Sequence, residues 1–67
     1  MWKVIENNLE KIGKTVYWLS KESGIDRRRI YALKNGKVNS LNLRDSFKIA
    51  QALDIDINEF ENEMTGE

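Results

Sequence analysis

Three residues, Gly24, Ile25 and Asp26, are all that separates two segments whose apolar residues recur at helical spacing. Before them, Val16, Leu19, Ser20 and Ser23 share one face of a helix over about 16–22. After them, Ile30 and Leu33 share one face of a helix over 27–34. A link this short leaves no room for a relaxed antiparallel hairpin, so the two axes must cross steeply. Steep crossing brings the backbones together, and the contact position on the earlier helix must be small; Ser20 meets that demand. Gly24 ends the earlier helix, because glycine takes the left-handed conformation with no Cβ to clash. Asp26 caps the later one, and Ile25, Ile30 and Leu33 form the wedge beneath the crossing.

The rest of the chain keeps the same period. A helix over about 2–11 carries Ile5, Leu9 and Ile12 on one face and stops at Gly13. Thr15 caps the second helix, Gly36 stops the third, and Asn42 caps a fourth over 43–53. The apolar residues of that fourth helix are Leu43, Phe47, Ile49, Ala50 and Leu53. Asp56 followed by Glu59 resembles a capping box opening a short fifth helix over 57–62. No segment alternates as a strand would, so the fold class is all-α. Sixty-seven residues bound it to a single domain, placed at 1–62, with 63–67 a frayed acidic tail. Trp2, Trp18 and Phe47 read as core, Trp18 covering either the first helix or a partner.

A net charge of zero hides a segregation. Residues 11–48 hold ten cations against three anions, whereas from Ile49 onward there are six anions and no cation. A basic body with an acidic end suits a polyanion-binding domain, although charge alone leaves a plain solubility pattern equally open. The sharpest concentration is Arg27, Arg28 and Arg29, directly behind the Asp26 cap. The chain has neither cysteine nor histidine, so no thiolate or imidazole metal site and no cofactor is expected. Without a glycine-rich phosphate loop, and with carboxylates clustered at one solvated end without a base partner, no enzyme is expected. No stretch approaches the ~20 apolar residues of a membrane span, and no charged leader precedes one. A cytoplasmic protein with no membrane contact is the expectation.

At this point "TVYWLSKESGIDRRRIYALKNGK", followed by "FKIAQALDIDINEF", resembles the Cro and phage-repressor type of helix-turn-helix domain, including its short stand-alone bacterial members. The resemblance runs from about Ile5 to Phe60. It implies a five-helix repressor-like bundle that binds double-stranded DNA in the bacterial cytoplasm or nucleoid. It implies a transcriptional regulator, a repressor, working as a dimer on a near-palindromic operator. By the same implication the start of the third helix enters the major groove, with Arg27, Arg28, Tyr31 and Ala32 at base-reading positions. Arginine's two parallel donors match the O6 and N7 acceptors of guanine, so the half-sites should contain G. Tyr31 is either a thymine-methyl or phosphate contact or a solvated tyrosine, and Ala32 offers only methyl contact.

Phosphate contacts fall to Thr15, Tyr17, Arg29, Asn35, Lys37, Asn39, Ser40 and Asn42, Tyr17 being helped by the free amides that open the second helix. Family members often carry glutamine where this chain has Val16, clamping a phosphate or bracing the recognition helix, and Val16 departs from that pattern. Pairing is implied near the last helix, through Ile55, Ile57, Phe60 and Met64, and is expected to be weak without DNA. Ile57 and Phe60 are either a lid on the core or that dimer contact. No small-molecule effector is evident. The competing reading is a protein-interaction module of the same fold, of antitoxin or anti-repressor type, acting through its acidic C-terminal end. Three arginines at a groove-entering turn argue against it.

Overall fold

The computed structural model describes residues 1–60 and builds them from four α-helices and a closing turn. The helices are α1 (Trp2–Ile12), α2 (Val16–Ser23), α3 (Arg27–Lys34) and α4 (Leu43–Leu53), and Ile57–Phe60 forms a 3-10 turn. The caps are those the residue types demand. Thr15 Oγ1 accepts from Trp18 N, Asp26 Oδ1 from Arg28 N and Asn42 Oδ1 from Asp45 N, at 3.1, 2.8 and 2.8 Å. Gly24 closes α2 in the left-handed region, its amide donating to Ser20 O.

Ser20 does more than stay small. Its hydroxyl donates to Ile25 O at 2.6 Å, and Ser23 Oγ accepts from Ile25 N at 3.3 Å. The three-residue link is thus hydrogen-bonded to the helix it leaves, which fixes the angle at which α3 departs. Ile25, Ile30 and Leu33 are buried under the crossing, as the spacing requires. α2 packs on both α3 and α4, and α1 closes the core against α4. The core is completed by Met1, Ile5, Leu9, Leu19, Leu41, Ile49, Leu53 and Phe60.

Four expectations need correction. First, among the described residues there are four α-helices, not five: Asp56 Oδ1 accepts from Asn58 N at 2.8 Å, and Ile57–Phe60 makes a 3-10 turn that carries Phe60 inward. The expected extension to residue 62 and the tail over 63–67 lie outside the described residues. Second, Phe47 is not core; it is 47% exposed, and Leu43 is 63% exposed. Ile49, Ala50 and Leu53 set the inward phase of α4, and one turn earlier that phase falls on Asp45 and Ser46, both buried. Third, Ile12 is largely exposed at the end of α1, past the last buried position, Leu9. Fourth, Phe60 is fully buried within its own chain, so it is the lid and not a surface contact. Trp2 and Trp18 are partly buried against the core.

Candidate nucleic-acid interface

With Ile30 and Leu33 turned inward, the other side chains of α3 face out or flank the helix. The three arginines at its start diverge to three different partners. Arg27 lies over the Tyr17 ring of α2, with Cζ 5.3 Å from its centroid, and Lys21 Nζ lies 5.4 Å from the same ring. Arg28 is well solvated, its side chain 91% exposed, and it pairs with the capping Asp26. Two hydrogen bonds make that pair: Arg28 Nε to Oδ1 at 3.4 Å and Arg28 Nη2 to Oδ2 at 3.2 Å. Those bonds, with the cap from Arg28 N, hold the Asp26 carboxyl below its usual range and lift the guanidinium pKa of Arg28.

Arg29 turns the other way. Its Nη2 forms an ion pair with Asp45 Oδ2 on α4, where the carboxylate is 6% exposed and the guanidinium about half exposed. The Oδ2 atom is itself buried, so Arg29 is its counter-charge. The expected phosphate donor is therefore already engaged with an anion of its own chain. The sequence offered one signal, the only acidic residue on an otherwise basic α4, at a position in phase with Ile49 and Leu53.

Small Ala32 leaves room on both sides of α3. One cleft, of about 340 Å³, lies among Arg28, Tyr31, Ala32, Asn35 and Lys37. A smaller one, of about 160 Å³, lies among Arg29, Ala32, Val38, Ser40, Leu41 and Asn42. An exposed helix start, basic and flanked by two clefts lined with polar donors, can meet a polyanion with a grooved surface. The match to a family model decides which kind: residues 5–62 fit the Cro/C1-type helix-turn-helix DNA-binding domain. The chain belongs to that family. No curated protein and no solved structure matches it.

A Cro/C1-type domain is a DNA-binding part of transcription regulators, and α2 and α3 are its helix-turn-helix. Of the positions expected to touch DNA, Arg27, Arg28 and Tyr31 are exposed along α3, Tyr31 with Lys34 Nζ 5.7 Å from its ring centroid. Ala32 is half-buried between the clefts. Thr15, Tyr17, Asn35, Lys37, Asn39, Ser40 and Asn42 are all exposed. Thr15 and Asn42 each lend one oxygen to a helix cap and keep their donors for other partners. Near the far end Ile55 and Ile57 are half-buried against the core, while Met64 lies outside the described residues. Among the described residues no helix is long and apolar enough to cross a membrane.

Proposed function

We propose that this Cro/C1-type domain is a sequence-specific regulator that lays α3 in the major groove and represses by occupying its operator. Occlusion needs nothing beyond binding, so it is the simplest use of such a domain. Arg27 and Arg28 read guanine, with Tyr31 and Ala32 contributing apolar contact further along α3. Thr15, Tyr17, Asn35, Lys37, Asn39, Ser40 and Asn42 hold the phosphates. Arg29 is removed from that set and assigned to holding α3 on α4. The observation that carries the reading is the exposed arginine pair at the very start of α3, on the side away from Ile30 and Leu33.

A single α3 reads only a few base pairs, so two copies on a near-palindromic site, with recognition helices about 34–36 Å apart, supply the selectivity. Ile55 and Ile57 are the contacts proposed for that pairing, which is weak without DNA, and the working compartment is the bacterial cytoplasm or nucleoid. The test is selection of duplexes from a randomised pool, followed by titration of the winner against salt. The log of affinity should fall linearly with the log of salt, with a slope of about −0.9 per phosphate contacted. Failure to enrich any sequence sinks the proposal.

A further inference from the structure

We infer that Asp26 is a specificity-determining residue of the DNA interface: it grips Arg28 by its Nε–Nη2 edge and leaves the Nη1–Nη2 edge to meet guanine. The inference rests on the proposed DNA reading. Its basis is the division of donors on one guanidinium. Arg28 has five N–H groups, and Asp26 takes one from Nε and one from Nη2. What remains outward includes the parallel pair at the tip, the geometry that fits O6 and N7 of guanine. The carboxylate that does this is itself fixed, since Oδ1 also accepts from Arg28 N at 2.8 Å, in the first turn of α3.

Capping alone does not account for an aspartate here. Serine and asparagine cap a helix as well as aspartate does, and neither brings a negative charge to the edge of DNA. An anion at that place weakens attraction to every phosphate backbone, whatever the sequence. Nor is stability a sufficient reason, because water screens an ion pair this exposed and leaves it little net contribution. Besides complementing the positive end of α3, aspartate adds what neither neutral cap can, a charged, two-oxygen partner for the Arg28 guanidinium. In the groove, where water is displaced and the local dielectric falls, that partner tightens its hold. It also keeps Arg28 from swinging to a phosphate. Both effects lower affinity for arbitrary DNA relative to a guanine-bearing site.

The test compares the parent with Asp26→Asn and Asp26→Ser, both of which retain a capping oxygen. Two duplexes are used: the one the parent selects from a randomised pool, and one of A·T pairs only. Circular dichroism should show parental helix content in both variants. Binding to the A·T duplex should be unchanged or tighter, while the ratio of selected to A·T affinity should fall about tenfold. The same substitutions in an Arg28→Ala background should leave the ratio unmoved, because the residue acts through Arg28. A ratio held within about twofold in the parental background overturns the inference, as does an equal fall in the Arg28→Ala background. If the parent itself favours no duplex over the A·T one, the DNA reading has failed and this inference falls with it.

Discussion

Three successive arginines carry one charge each and yet do three different things, because each meets a different neighbour. Arg28 leans on an exposed cap, so Arg28→Ala should fold like the parent and lose about 1–3 kcal/mol of binding at one base position. Comparing thermal midpoints with binding to the selected duplex checks this; early melting with normal binding once folded would make Arg28 structural. Arg29 faces a buried carboxylate, and the two ends of that pair are unequal. Arg29→Met strands Asp45 away from water and should cost about 2–3 kcal/mol, whereas Asp45→Asn frees a half-exposed arginine that can turn to solvent, at roughly 1 kcal/mol. Urea titrations should show that order. Where Arg29→Met is still folded, its salt slope for DNA should match the parent's; a slope shallower by about one contact would restore Arg29 to the phosphate set. At Asp26 the folded carboxyl lies below its usual range, chiefly through the hydrogen bond from Arg28. A depressed acid stabilises the fold above its unfolded pKa, near 3.9, and the gain disappears as pH falls through the folded value. Acid titration of Asp26→Asn should lack that component.

Elements were legible in the chain wherever a residue type has one dominant backbone role. Gly13, Gly24, Thr15, Asp26 and Asn42 bound α1, α2, α3 and α4 because left-handed turns and orphan amides leave few alternatives. The wedge of Ile25, Ile30 and Leu33 was equally readable, since a three-residue link fixes the phase on both sides of it. The fourth helix departs from its apolar pattern for the opposite reason: Leu43 and Phe47 are apolar but out of phase, and Asp45 and Ser46 are polar but in phase. The sequence puts Arg27 and Arg29 at the start of α3 but does not show their partners, Tyr17 and Asp45, because those pairings exist only after the helices cross. Asp54 carries no such signal in the sequence. It closes α4 at φ 58°, its own amide and that of Ile55 donating back to Gln51 O and Ala50 O. That is glycine's place, and an anion there also opposes the negative end of the helix. Asp54→Gly should therefore stabilise the domain by about 0.5–1 kcal/mol, raising the thermal midpoint by several degrees. A lower midpoint would mean that the Asp54 side chain makes a contact worth more than its backbone costs.

The whole molecule has two electrostatic ends, and they should answer salt in opposite senses. α3 and the loop after it are basic, whereas the end formed by Asp54, Asp56 and Glu59 carries only anions. Two copies pairing through Ile55 and Ile57 would bring those anions together across a two-fold axis. With Phe60 committed to its own core, the apolar area left at that end is small, so repulsion weighs heavily in the balance. Raising salt screens exposed charges over about 8–10 Å near physiological strength. Free pairing should then strengthen with salt while DNA binding weakens, and Glu59→Gln should tighten pairing without touching the fold. Sedimentation across a salt series, with and without the selected duplex, reads both trends at once. A second variant fixes the surface. Phe47 and Leu43 form an exposed apolar pair, one turn apart on α4, flanked by Arg44 and Lys48. If Phe47→Glu abolishes pairing and Glu59→Gln leaves it unchanged, the copies meet across the outer face of α4, and the acidic end is free. If Glu59→Gln tightens pairing and Phe47→Glu is silent, the two-fold axis passes beside Ile55 and Ile57.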